Sequence, residues 1–166
     1  MKRERRWASV DARFAATMPP GVCDAIEKHI RAAHPNESGG VLAGKYDDAL
    51  AVATITEASG PPPDSRAGRT WFQRGTKNLA GWMRSLWSRP SREYYLGEWH
   101  YHPAHHVEPS VDDVEQMEGI AASPKYNCPE PLMFIFGASK REPRIVRVFV
   151  QPRGGKLIEL DETLHW

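Results

Sequence analysis

Apolar residues recur at helical spacing in Val22, Ile26, Ile30 and Ala33, between Pro19-Pro20-Gly21 and His34-Pro35-Asn36, and predict an amphipathic helix over residues 21–33. Its apolar stripe calls for a sheet to cover. Two β-type runs follow, 40–44 and 50–56, joined by the polar turn Lys45 to Ala49, and read as a hairpin. Gly60-Pro61-Pro62-Pro63-Asp64-Ser65 reads as an irregular loop, because proline fixes φ and removes backbone donors. Trp71-Phe72 opens another short strand, and Leu79, Trp82, Met83, Leu86 and Trp87 mark a second helix over about residues 76–88.

The aromatic run Tyr94 to Trp99 predicts a strand that ends at Pro103, and Pro109-Ser110 opens a third helix with Val111, Val114, Met117 and Ala121 toward the core. Leu132 to Phe136 has the apolar character of a buried strand, Ile145 to Val150 alternates in part, and Leu157 to Leu160 adds a short edge strand. The order α-β-β-β-α-β-α-β-β predicts an α/β (α+β) fold, a mixed central sheet flanked by helices. No internal repeat interrupts it, so residues 1–166 are expected to form one domain, with 1–10 and 152–166 peripheral.

Composition agrees with that picture. The chain has 166 residues, 40% of them hydrophobic, with 22 basic against 21 acidic residues, which suits a compact domain and gives no nucleic-acid footprint. The basic cluster Met1 to Arg6 reads as a solvated end, with no apolar stretch of a secretory signal behind it and no bilayer-length run elsewhere. A cytoplasmic protein with no membrane partner is expected. Cys23 and Cys128 stand far apart, in no paired spacing, and read as small core residues in a reducing compartment.

The chemistry gathers in His100-Tyr101-His102-Pro103 and, six residues later, Ser110-Val111-Asp112-Asp113. Residues two apart on a strand share a face, so His100 and His102 can aim at one point, and Asp113 in the first turn of the third helix can turn back toward them. Two imidazoles and a carboxylate are a hydrolytic zinc set, which keeps a fourth position for water and lowers its pKa to about 7. Glu37, just before Ser38-Gly39-Gly40, is the candidate general base. Ser110 and Asp113 also fit a helix capping box, a purely structural reading. Glu98 shares the histidine face and is a candidate for orienting His100. His105 and His106 read as solvated, and His29, His34 and His165 as structural or surface. Cys128 reads as core rather than ligand, and Trp71, Trp82, Trp87 and Trp99 as core rather than a cofactor platform. A zinc nucleoside deaminase is excluded because its H-x-E and P-C-x-x-C signature is absent.

Glu37, His100-x-His102-Pro103, a six-residue gap and Ser110-x-x-Asp113 resemble the glutamate, H-x-H-P and S-x-x-D pattern of the JAB/MPN (JAMM) metalloproteases, from the first helix to about residue 150. Tyr101 departs from the Ser or Thr usual there; pointing away from the ligands, it leaves metal binding intact and alters the neighbouring packing. The resemblance implies a cytidine-deaminase-like JAB/MPN architecture and one Zn2+ held by His100, His102 and Asp113. It further implies Glu37 as base and Ser110 as oxyanion stabiliser in hydrolysis of an amide bond. The segments 58–61, 69–72 and 94–100 resemble the short bacterial JAB deconjugases of antiphage operons. A ubiquitin-like or CD-NTase conjugate is then the implied substrate, with activating and conjugating enzymes encoded nearby. The alternative is a non-catalytic module of the same fold that binds a ubiquitin-like partner.

Overall fold

The computed structural model describes residues 2–103, 106–138 and 144–163. Within them the chain runs β1 (Arg5–Ala8), β2 (Ala15–Met18), α1 (Pro20–Ala33), β3 (Ser38–Tyr46), β4 (Val52–Ala58), β5 (Arg66–Ala67), β6 (Phe72–Gln73), α2 (Leu79–Trp87), β7 (Tyr94–Tyr101), α3 (Val111–Ala122), β8 (Leu132–Phe136), β9 (Val146–Val150) and β10 (Ile158–Thr163). The expected mixed α/β sheet is present, and its two edges meet: the order β1-β10-β9-β8-β7-β3-β4-β2 closes into a barrel. Parallel pairs β2 with β4 and β7 with β8 interrupt an otherwise antiparallel arrangement. No described helix is long and apolar enough to cross a membrane.

Closure corrects the expectation for the termini. Residues 5–8 are not a solvated end, because β1 pairs with both β2 and β10 and its Trp7 is 1% exposed, edge-on to Phe134. β10 is likewise not an edge strand; it lies between β9 and β1. The segment Ala15–Met18 carries no alternation to betray a strand, since all four of its residues are buried. Closure removes both free edges of this sheet, which would otherwise present unpaired ladders.

Strand alternation sorts the core into two layers. Leu42, Trp99, Tyr101, Phe134 and Val148 face the layer that receives Val22, Ile26 and Ile30 of α1. Val41, Tyr95, Met133, Ile135 and Phe149 face the opposite layer, covered by Met117 and Ile120 of α3 and by Leu79, Trp82 and Met83 of α2. Helix α2 starts at Leu79 rather than near 76, because Asn78 takes a left-handed conformation with φ 70° that a right-handed helix cannot include. Arg66 and Ala67, just past the expected loop, pair with Gln73 and Phe72 in a two-stranded hairpin beside the barrel. Trp99 is fully buried and Trp82 packs on the second layer, but Trp71 and Trp87 are about half exposed and do not build core. Cys128 is buried and Cys23 partly so, both as free thiols.

Candidate functional site

β7 carries His100 at the penultimate position of the strand and His102 just past its end, both buried and both on the layer covered by α3. Helix α3 brings the third group. The capping box is real: the Ser110 hydroxyl accepts from Asp113 N at 3.0 Å, and Asp113 Oδ2 accepts from Ser110 N at 2.8 Å. The same carboxylate meets His100 Nδ1 at 2.9 Å and lies 3.4 Å from His102 Nε2. The structural and chemical readings of Asp113 therefore coexist, since the cap fixes the carboxylate where the histidines need it. One ligand atom from each of His100, His102 and Asp113 falls within 4.8 Å of the others.

Each histidine is oriented by the bond it makes. With Nδ1 engaged by Asp113, His100 leaves its Nε2 buried and without a hydrogen-bond partner among the described residues. His102 Nδ1 donates to the backbone carbonyl of His106 at 3.3 Å, which fixes the ring with Nε2 turned toward Asp113. Sequence reasoning set His106 aside as a solvated side chain; its contribution comes through the backbone, which no side-chain pattern reveals. His105 and His165 lie outside the described residues. An orphaned imidazole nitrogen beside a second imidazole and a carboxylate fits a divalent cation of zinc's ligand preference.

Glu37 sits in the link between α1 and β3. The β3–β7 register pairs Ser38 with Tyr101 and Gly39 with His100, so Glu37 directly precedes the paired stretch, near enough for His102, Asp113 and His100 to act on its carboxyl. Its backbone N–H donates to Gly68 O at 2.8 Å, tying it to the β5–β6 hairpin. Burial pushes the Glu37 carboxyl above the ordinary carboxylate range; the Asp113 charge adds to that, and His102 and His100 oppose it. Burial would also raise Asp113, but its bonds with His100 and His102 outweigh this and hold it far below the usual range. For His102, burial disfavours the charged ring, yet the Asp113 bond and the nearby Glu37 raise it overall. Within the site, then, one carboxyl group is shifted up and the other down.

The paired glycines make room for the protein's own atoms. A Cβ on Gly39 would come within 2.6 Å of both Phe72 Cε1 and Trp99 O, and within 2.9 Å of His100 Cδ2. One on Gly40 would meet Ser59 O at 2.4 Å. Phe72 of β6 packs edge-on against His100 with ring centroids 5.7 Å apart, a contact that sequence reasoning missed because the two residues are distant in the chain. Glu98 does share the histidine face, but its buried carboxylate is taken by Arg74 and approached by Gln116 at 3.4 Å, not by His100. Arg74 follows β6 directly, so this ion pair clamps the hairpin to the histidine strand. A groove of about 880 Å³, lined by Met83, Trp87, Tyr94, Tyr95 and Tyr126, runs beside α2, with Arg74 at its margin.

Residues 19–149 match the family of prokaryotic homologs of the JAB domain. Over 129 residues the chain is 43% identical to a protein of Enterobacter hormaechei subsp. hoffmannii (strain UCI 50) named CD-NTase/cGAS isopeptidase, covering 78% of this chain and 71% of that protein. Its fold is similar to the solution structure of a Desulfitobacterium hafniense protein, with TM-score 0.61 over 88% of each chain at 19% identity.

Proposed function

The chain belongs to the prokaryotic homologs of the JAB domain, and from that we propose that it is a zinc-dependent isopeptidase that cleaves the amide bond joining a CD-NTase or ubiquitin-like C-terminus to its target, in a bacterial antiphage conjugation system. The observation that carries this reading is the buried His100–His102–Asp113 cluster, with which the Glu37 carboxyl interacts electrostatically. The relative's name, CD-NTase/cGAS isopeptidase, supplies the substrate class.

His100, His102 and Asp113 would hold zinc, which when bound supplies Lewis acidity and a water acidic enough to ionise near neutral pH. Glu37 removes the proton from the attacking water. Its carboxyl, pushed up by burial, retains that proton readily and passes it to the leaving lysine amine. The Ser110 hydroxyl, which only accepts within the capping box, keeps its own hydrogen to donate to the developing oxyanion. The β5–β6 hairpin, fixed to β7 through Arg74 and Glu98, forms a wall against which an extended C-terminal tail can lie.

The test is hydrolysis of a CD-NTase whose C-terminal carboxyl is joined through an isopeptide bond to a fluorescent lysine. Purified protein should contain about one zinc per chain, and Glu37→Ala should keep the metal and lose release of the fluorophore. Metal-free wild-type protein with full turnover would overturn the zinc assignment, and an active Glu37→Ala would remove Glu37 as base. A non-catalytic binding module is the second reading, and it predicts retention of the conjugate without cleavage.

A further inference from the structure

Tyr101 stands between the two site histidines yet points to the other layer, where it is 1% exposed. Its ring lies under the Arg144 guanidinium at 5.6 Å, and Arg144 Nε donates to Glu27 Oε2 of α1 at 2.7 Å. The phenol is therefore a fixed post rooted in the strand that carries His100 and His102. Its hydroxyl hydrogen-bonds His34 Nδ1 at 2.6 Å. His34 is the first residue after α1, and the link from it to Glu37 has no regular structure. Its backbone restraints are the bonds from His34 N to Ile30 O at 3.0 Å, from Asn36 N to Ala33 O and from Glu37 N to Gly68 O. A shorter hydroxyl at position 101 would not reach across to this link.

We propose that Tyr101 and His34 form a positioning pair that anchors the α1–β3 link to the histidine strand and so holds the Glu37 carboxylate in register with the His100–His102–Asp113 cluster. The inference rests on the reading of Glu37 as general base. It adds that this carboxylate is placed by a strut from the opposite side of the sheet. Two neighbouring residues of one strand then define both halves of the site: His102 on one face, and through Tyr101 on the other face, the Glu37 base. A small displacement of a catalytic group is costly, since a 1 Å misplacement can lower the rate about a hundredfold.

Tyr101→Phe removes the hydroxyl and keeps the packed ring, so the variant folds. In the fluorescent-lysine assay it should lower kcat about tenfold, a partial loss because the Gly68 tie remains, with KM and zinc content unchanged. His34→Ala should give the same loss, and the double variant should be no slower than either single one, because both remove the same bond. Amide exchange over residues 34–39, read by mass spectrometry, should quicken in both single variants. Wild-type kcat in Tyr101→Phe, multiplicative losses in the double variant, or a loss shared equally with KM and zinc content would each overturn the pair. Glu37→Ala run alongside separates the two failures. An active Glu37→Ala sinks the general-base reading, while an inactive Glu37→Ala beside a fully active Tyr101→Phe sinks the positioning pair alone.

Discussion

Replacing Arg74 by Met should destabilise the protein severely, and the structure gives the size of the effect. The Arg74 side chain is 5% exposed and the Glu98 side chain fully buried, and Arg74 also donates to Tyr126 Oη at 2.7 Å and Gly75 O at 2.8 Å. Methionine fills much of the same space but strands the Glu98 carboxylate without its cation, leaving neutral neighbours such as Gln116 at 3.4 Å. Removing one partner of a buried pair costs about 3–5 kcal/mol, because the remaining charge keeps its desolvation penalty. In a domain of this size each kcal/mol moves Tm by about 2–4 °C, so a drop of roughly 6–20 °C is expected by calorimetry. The double variant Arg74→Met/Glu98→Leu replaces the pair by hydrophobes and should recover most of the loss. A single variant within about 1 kcal/mol of wild type, or a double variant as unstable as the single, would refute the reasoning that desolvated charge dominates here.

Asp113→Ala should abolish the upward shift of Tm on adding zinc and also lower the stability of metal-free protein by about 1 kcal/mol, since the carboxylate is half of the α3 capping box; persistent stabilisation by zinc would contradict its place in the ligand set. Gly39→Ala should cost on the order of 1–3 kcal/mol by urea denaturation and halve zinc occupancy or worse, because its Cβ would press on the Trp99 carbonyl and the His100 ring; a neutral effect on both would show that β3 and β6 can part freely. Glu93 is held below the ordinary carboxylate range by the Thr56 hydroxyl, against burial, with help from Ser91 and Arg89. A depressed carboxyl stabilises the fold above its unfolded pKa of about 4.5 and loses that contribution as pH falls through the folded value. Glu93→Gln should therefore flatten the fall of the urea midpoint between about pH 5 and 3, and an unchanged slope would remove Glu93 from the acid response.

The elements legible in the chain were those whose periodicity is local. Val22, Ile26 and Ile30 announced α1, and the apolar run Leu132–Phe136 announced β8, because one face or both faces of each element are buried against the rest. β1 and β2 escaped because four residues are too few to show a period, and their strand character comes from partners far away, Glu162 for Trp7 and Ala53 for Ala16. The site divided in the same way. His100 and His102 shared a face by strand alternation alone, and Ser110 with Asp113 could be read as a cap, but the Phe72 edge on His100 and the His106 carbonyl on His102 depend on loops meeting across the fold.

By itself, then, the sequence determined which side chains are chemically able to hold a metal and move a proton, because a spacing of two puts His100 and His102 on one face of a strand and a spacing of three pairs Ser110 with Asp113 as a helix cap. Only the tertiary structure decided where Glu37 stands and what holds it there. The antiparallel register of β3 with β7 and the Gly68 carbonyl fix its backbone, and the Tyr101 phenol bonds His34 of the same link from behind the sheet. Register and cross-sheet contacts arise from the closure of the barrel and the packing of two layers, and these join residues that no local pattern relates.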